Sequence, residues 1–427
     1  MTRARLCATV TAGTTAGLRA ARDAARGADL VELRLDGVRD LDVDGALAGR
    51  SGPVVVTCRP AWEGGRFEGA EEERRRILAR AFELGADWVD LEWRGGFERL
   101  VAARRGRNVV LSTHDFEATP DDLESRYRAM RATGAEVVKV AARSRSAADV
   151  VRLHRLGRNA RDEAAVLVGM GPIGVPTRLL PGRFGSAWTY AGEGVAPGQV
   201  PLSDMIGRYR CHRVSASTAI YGVAGAPIAH SLSPVMHNAG FAEAGLDAIY
   251  VPFEATDADD LMALAQALDV KGLSVTAPFK ESILNHVVDV DPVGRRTGAI
   301  NTLRADDGGW RGLNTDVAGL LAPLEAQGVV GGLRCCVLGD GGAARAAAVV
   351  LAGAGGAVTV CARRPERAAE VAALAGGSAV PFPPPPGSWD LLVNTTPVGT
   401  APHVDDTPVP GEALAGGATV YDLVYNP

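Results

Sequence analysis

The chain has 427 residues, 47% hydrophobic and 22% charged, with a formal net charge of −5 and a pI near 5.9. That length suits two or three domains, the composition suits a soluble globular protein, and the acidic balance gives no reason to expect nucleic acid or an anionic membrane as partner. Six scattered cysteines form no CxxC pair and no metal-ligand spacing, the apolar runs are too short to span a bilayer, and MTRARLCATV runs straight into a strand pattern with no signal peptide, so a reduced, cytoplasmic setting without structural metal is expected.

Eight β-rich runs follow one another: LCATV at Cys7, LVELRL at Glu32, VVVTC ending at Cys58, WVDLEW at Asp90, NVVLST ending at Thr113, EVVKVA around Lys139, AVLVGM ending at Met170 and SAWTY ending at Tyr190. Segments of helical periodicity such as EEERRRILARAFELG separate most of them. This alternation predicts an α/β chain whose first part, residues 1–205, is a (β/α)8 barrel with its chemistry at the C-terminal strand ends. Residues 206–218 read as a linker. A strand then begins at Ala219, and residues 219–327 form a second domain. From 328 to 427 the run RCCVLGDGGAARAAAVVLAGAGGAVTVCARR reads strand, glycine turn, helix, strand, the βαβ unit of a Rossmann nucleotide-binding domain. Oligomeric state is left open by the sequence.

The chain has forty-two arginines and only three lysines, Lys139, Lys271 and Lys280. Arginine is never deprotonated in a protein, whereas a desolvated lysine can become a nucleophile or a proton donor. Alternation along EVVKVA points Lys139 into the barrel, where a neutral amine can attack a ketone. His114 follows the fifth strand and can serve as general acid and base. Arg34, Arg59 and Arg178 also follow strands and suggest a hydroxylated carboxylate as ligand. Lys271 carries no motif and reads as a solvated residue. A lysine paired with a carboxylate, a core histidine and surface arginines are the bland readings of these residues taken singly.

Taken in order, ELRLD, TCRPAWEGG, STHDF, VVKVA, PTRLL, FGSAWTYA and APGQ resemble type I 3-dehydroquinate dehydratase over the first 205 residues. The resemblance implies that Lys139 forms an imine with the substrate ketone and that His114, oriented by Glu63, removes the proton alpha to it. It also implies that Thr9, Glu32, Arg34, Arg59, Arg178 and Gln199 hold the substrate, Arg178 taking the carboxylate. One departure is Val195, where the family usually has a serine.

In the second half, Ser231 and Ser233 of GAPIAHSLSPVMHN stand at a helix N-terminus, where capping is the default. Lys280 in SVTAPFK and Asp316 in GLNTD form a candidate proton-donating pair. The set HSLSPVMHN, SVTAPFK, GAINTL, GLNTD, LGDGGAARA and NTTPVG resembles shikimate dehydrogenase, a two-lobed α/β enzyme. This implies that Ser231, Ser233, Thr276, Asn301, Asp316 and Tyr425 bind 3-dehydroshikimate or shikimate, with Lys280 and Asp316 handling the proton. Gly339, Asp340, Gly341, Gly342 and Ala343 would cradle a cofactor diphosphate, with Asn394, Thr395 and Leu423 nearby. Arg363, Arg364 and Arg367 of CARRPER stand where an acidic residue would favour NAD, so NADP is expected. Departures are Ser274 for asparagine and Asp340 for a small residue in the glycine loop. The resemblance further implies a segment beyond VYDLVYNP, making the sequence truncated relative to the family.

The two activities are consecutive, so the expected protein is bifunctional: a dehydratase and an NADP-dependent reductase acting on small-molecule substrates, with no metal. A dehydratase with an inactive second half and a quinate-sensing regulator are the alternatives. The retained Lys139, His114, Lys280 and Asp316, and the lack of a basic DNA-binding segment, argue against the regulator.

Overall fold

The computed structural model describes residues 4–160, 162–327, 331–414 and 419–424. It divides into two compact units, Met1–Val223 with Pro227–Val270, and Ala224–Ala226 with Lys271–Pro427.

In the first unit eight parallel strands form one sheet: β1 (Arg5–Thr11), β2 (Leu30–Arg34), β3 (Val54–Thr57), β4 (Trp88–Glu92), β5 (Val109–Asp115), β6 (Val137–Arg143), β7 (Ala165–Met170) and β8 (Trp188–Ala191). Each strand pairs with its successor up to β7, and β1 pairs with β8. Closure between β7 and β8 rests on a single bridge, Ala165 to Ser186. The strands are valine-rich and buried on both faces, as parallel strands under a coat of helices must be. Cys7, Val110, Val137, Val166 and Trp188 belong to one interior cluster.

The fifth strand runs two residues beyond its apolar pattern, because His114 and Asp115 stay in register with Ala141 and Ala142 of β6. His114 is therefore inside a strand rather than after it. The stretch 206–218, expected as a linker, is packed: Tyr209, Cys211 and Val214 are buried, with a turn at Cys211–Arg213. The first unit also extends past residue 218. Helix Ala258–Ala267 packs along barrel helix Ala147–Asn159, with Ala258, Leu261, Met262, Leu264 and Ala265 buried. This packing places the division between units inside the segment 219–327.

In the second unit Gly272–Ser274 of strand Val270–Val275 pair antiparallel with strand Thr302–Asp306, which forms a hairpin with Gly309–Leu313. A five-stranded parallel sheet follows, with Arg334–Leu338 central, Ala357–Cys361 and Ser378–Val380 on one side, and Leu391–Asn394 and Thr419–Asp422 on the other. Crossing from the first strand to both sides creates the switch point at which such sheets bind ligands. Among the described residues no helix is long and apolar enough to cross a membrane.

Candidate active sites

Strand alternation directs Thr9, Glu32, Asp90, Ser112 and Lys139 into the barrel, where Lys139 is only 6% exposed. Its Nζ donates to Asp90 Oδ2 at 3.1 Å, lies 3.7 Å from Glu32 Oε1, and sits 4.3 Å from the centre of the Tyr190 ring. Glu32 in turn accepts hydrogen bonds from Thr9 and Thr57, both at 2.9 Å. Asp90 Oδ1 accepts from Ser112 at 2.5 Å and pairs with Arg59 at 2.9 Å. Arg59 also donates to Glu92 at 2.7 Å and to Ser112 at 2.8 Å, and Glu92 is held from behind by Arg74. Burial opposes ionisation of Asp90, but Arg59 and Lys139 overcome it and hold its carboxyl well below the usual range.

One Glu63 oxygen accepts from the backbone N–H of His114 at 2.8 Å and faces its Nδ1 at 3.0 Å, leaving Nε2 as the ring nitrogen available for chemistry. Phe116 stacks on the imidazole with ring centres 6.2 Å apart. Burial, followed by the positive charges of Arg59 and Lys139, pushes His114 well below its ordinary pKa, so the ring is neutral and can accept a proton. Burial also raises the Glu63 pKa to about 7.

Arg178 differs from the other arginines here. Buried at 2% exposure, among the described residues it meets only the carbonyls of Tyr190 at 3.5 Å and Pro197 at 3.3 Å, and its Nε has no partner there. Burial, with no neighbouring charge to offset it among the described residues, lowers its pKa to about 10. Such a guanidinium calls for an anion. Arg34 is instead bidentate to Asp36, at 2.8 and 2.9 Å. Gln199 Oε1 accepts from the N–H groups of Val195 at 3.2 Å and Ala196 at 3.1 Å. One cavity collects Thr9, Glu32, Arg34, Arg59, Glu63, His114, Lys139, Arg178, Val195 and Gln199.

In the second unit Lys280 Nζ donates to Asp316 Oδ2 at 2.5 Å, and Asn301 Nδ2 donates to Asp316 Oδ1 at 2.7 Å. Asn301 Oδ1 accepts from the N–H of Thr315 at 2.8 Å, which fixes the amide's orientation. Thr276 precedes Lys280 in the same turn, its carbonyl accepting from Phe279 at 3.0 Å. Beside the lysine lies Gly342, the first residue of helix Gly342–Gly353; a Cβ there would fall 2.9 Å from Lys280 Cδ.

The glycine turn before that helix is tight. Gly339 has φ of +122°, and a Cβ on it would meet Thr395 Oγ1 at 2.4 Å. Thr395 Oγ1 donates to the Leu338 carbonyl at 2.6 Å, Asn394 Nδ2 to Asp422 at 2.9 Å, and the Leu423 N–H to the Asn394 carbonyl at 3.1 Å. Asp340 turns to Arg364, which grips it with two bonds of 2.7 Å. Arg367 pairs with Glu281 at 3.0 Å and Glu370 at 2.9 Å, while Arg363 is exposed.

Residues 6–215 match the model of the type I 3-dehydroquinase family, and residues 223–303 that of the shikimate dehydrogenase substrate binding domain. Over 440 residues, 94% of this chain and 72% of the relative, the sequence is 33% identical to the chloroplastic bifunctional 3-dehydroquinate dehydratase/shikimate dehydrogenase of Arabidopsis thaliana. This chain belongs to the bifunctional 3-dehydroquinate dehydratase/shikimate dehydrogenase family. Its second half is also 42% identical over 228 residues to a shikimate dehydrogenase (NADP(+)) of Methanothermobacter thermautotrophicus, covering 50% of this chain and 80% of that one. A shikimate dehydrogenase (NADP(+)) of Moorella thermoacetica is 43% identical over 231 residues, covering 50% and 78%.

In the dehydratase half the expected site residues share one cavity. In the dehydrogenase half Lys280, Asn301 and Asp316 form one hydrogen-bonded group. Ser231 and Ser233 lie in the first unit, where Ser231 Oγ accepts from the Ser233 N–H at 3.3 Å, although the helix N-cap position is Leu232. Tyr425 lies outside the described residues. Lys271 is exposed on its strand. Sequence reasoning missed Asp90 and Glu92, the acids that engage Lys139 and Arg59. Their signal was present in WVDLEW: two carboxylates at i and i+2 in a buried strand face the same side, and that side is the barrel interior.

Proposed function

We propose that residues 1–205 dehydrate 3-dehydroquinate and that residues 219–427 reduce the product, 3-dehydroshikimate, to shikimate with NADPH, residues 206–218 joining them. Within the second part, 219–327 would be the substrate-binding domain and 328–427 the NADP-binding domain. The observation that carries the first activity is a buried primary amine sharing one cavity with a neutral imidazole and a buried guanidinium that, among the described residues, lacks a carboxylate partner. Arg178 takes the substrate carboxylate, while Glu32 and Gln199 accept or donate to hydroxyls. Lys139, its proton passed to a neighbouring carboxylate, adds to the ketone and water leaves as the imine forms. His114 Nε2 removes the alpha proton, the electrons move into the iminium, and the β-hydroxyl departs as water after protonation by His114. Hydrolysis of the imine frees Lys139. Val195 contributes no side-chain hydroxyl to this cavity, which removes one substrate hydrogen bond worth about 1 kcal/mol.

For the second activity, the close Lys280–Asp316–Asn301 group supports proton delivery from Lys280 to the carbonyl oxygen, with Asp316 and Asn301 fixing the amine and the substrate hydroxyls. Thr276 adds a hydroxyl. The turn Gly339–Ala343 suits a diphosphate, since Gly339 tolerates no Cβ and bare N–H groups open the helix at Gly342. Arg363 is free to meet a 2′-phosphate. When bound, NADPH supplies the hydride. Six free, buried cysteines support a reducing, cytoplasmic compartment.

Borohydride added during turnover of 3-dehydroquinate should leave a reduced adduct on Lys139; its absence rules out the imine. Lys280→Ala should abolish NADPH oxidation by 3-dehydroshikimate and spare the dehydratase, with Lys139→Ala doing the reverse. Loss of both activities in either variant contradicts this division.

A further inference from the structure

The helix Ala147–Asn159 follows β6, the strand that carries Lys139, after the short turn Ser144–Ser146. Four N–H groups open any helix without an internal partner. Here Ser146 and Asp149 form a capping box that serves the N-cap and third positions. The N–H groups of Ala147 and Ala148 remain, and alanine has no side chain to help nearby. Both are taken by one carboxylate from more than a hundred residues downstream: Asp260 Oδ2 accepts from Ala147 at 2.7 Å and Oδ1 from Ala148 at 2.8 Å.

Asp260 is itself held in place. It stands in the first turn of helix Ala258–Ala267, its N–H donating to the Asp257 cap at 2.8 Å, and its Oδ2 also accepts from Thr256 N at 3.2 Å and Thr256 Oγ1 at 3.0 Å. One negative charge thus sits at the positive ends of two helices. Asp149 holds the turn from inside the helix, accepting from the N–H of Arg145 at 2.9 Å and of Ser146 at 3.4 Å, so that Asp260 is the turn's tie to a second helix. Ser144 donates its N–H to the Met170 carbonyl at 3.1 Å, but its buried Oγ has no hydrogen-bond partner. The same segment reaches toward the serine loop, where Glu254 accepts from the Ile228 N–H at 3.2 Å.

We infer that Asp260, supplied by the dehydrogenase half, is a positioning residue of the dehydratase, bracing the turn after β6 so that Lys139 keeps its place against Asp90 and Tyr190. The inference rests on the reading of Lys139 as the imine-forming amine. It makes the barrel's chemistry dependent on chain that the barrel fold does not contain.

The full chain is tested as wild type, Asp260→Asn, Asp260→Ala and Thr256→Val, by dehydratase kcat and KM and by hydrogen exchange. The expected result is a kcat lowered three- to tenfold in Asp260→Ala with KM within twofold, a smaller loss in Asp260→Asn and Thr256→Val, and faster exchange reaching back from residues 147–150 into 137–143. Wild-type kcat in a folded Asp260→Ala, or faster exchange confined to 147–150, overturns it. Should Asp260→Ala not fold, wild-type kcat and exchange in both milder variants overturn it equally. If the wild type itself fails to dehydrate 3-dehydroquinate, the functional reading falls, and the exchange pattern alone still decides whether Asp260 holds β6.

Discussion

Asp90 Oδ2 accepts a hydrogen bond from Lys139 Nζ at 3.1 Å in the closed interior of the barrel, where Asp90 is fully buried. The same carboxylate binds Arg59 and Ser112 through its other oxygen. Removing it takes from Lys139 its closest carboxylate, from Arg59 one of its two carboxylates and from the Ser112 hydroxyl its acceptor, all in a buried setting. Asp90→Ala should therefore destabilise the first unit by about 3–5 kcal/mol, read from urea midpoints at pH 7. The pH dependence follows from the depressed carboxyl pKa. A group with a lowered folded-state pKa contributes fully above its unfolded value of about 3.9, and the contribution is lost as pH falls through the folded value. The gap between wild type and Asp90→Asn should be constant from pH 5 to 8 and shrink below about pH 4. A gap that persists unchanged at pH 2 contradicts the ion-pair account.

Glu63 and His114 predict a kinetic effect. His114 is neutral through the physiological range, so its own protonation does not limit the reaction near pH 7, whereas Glu63, raised to about 7, changes charge there. Above pH 7 the carboxylate accepts the Nδ1 proton and leaves Nε2 basic; below it, that orientation is lost. Dehydratase kcat should fall as pH drops through about 7. Glu63→Gln should flatten this limb and lower kcat by about 10²-fold with little change in KM. A retained limb in Glu63→Gln assigns it elsewhere.

The barrel was legible because its strands are short apolar runs between amphipathic helices, a pattern set residue by residue. The end of β5 was not, because polarity at His114 and Asp115 masks the pairing that carries the strand to Asp115. The packed stretch around Tyr209 and Cys211 was read as a linker because its burial depends on surfaces distant in sequence. For the same reason Asp260 gave no signal, its partners lying 112 and 113 residues away. The scarcity of lysine pointed to Lys139 and Lys280, while Arg34 and Arg59 show the limit of counting guanidiniums: both are engaged by carboxylates within the fold.

Gly342 reports on how the glycine loop meets the dehydrogenase lysine. A methyl group at this position would stand 2.9 Å from Lys280 Cδ and 3.0 Å from its Cβ, closer than carbon atoms approach. Lys280 would have to move, taking its Nζ away from Asp316. Gly342→Ala should cut NADPH-dependent reduction by about 10²-fold, the scale of a 1 Å misplacement, while leaving dehydratase turnover unchanged. Reduction within twofold of wild type would mean that the loop and the lysine move independently.

Asp340 and Arg364 predict a gain. The two bonds of 2.7 Å that Arg364 makes to Asp340 hold the carboxyl below its ordinary pKa, so it stays charged beside the turn proposed for the diphosphate. The pair is largely exposed on the arginine side, so its effect on folding is small and salt-sensitive. Its effect on the cofactor is larger, because the aspartate both repels phosphate and occupies a guanidinium that could reach the 2′-phosphate. Asp340→Asn should lower KM for NADPH by about three- to tenfold at low ionic strength, within the range of one relieved charge contact. KM for NADH should fall less, since NADH lacks the 2′-phosphate that a released Arg364 would meet. In the double variant Asp340→Asn with Arg364→Ala, the NADPH advantage should shrink to what Arg363 alone supplies. If Asp340→Asn instead raises KM for NADPH, the carboxylate serves to hold Arg364 in its binding position, and the pair works as a unit rather than in opposition.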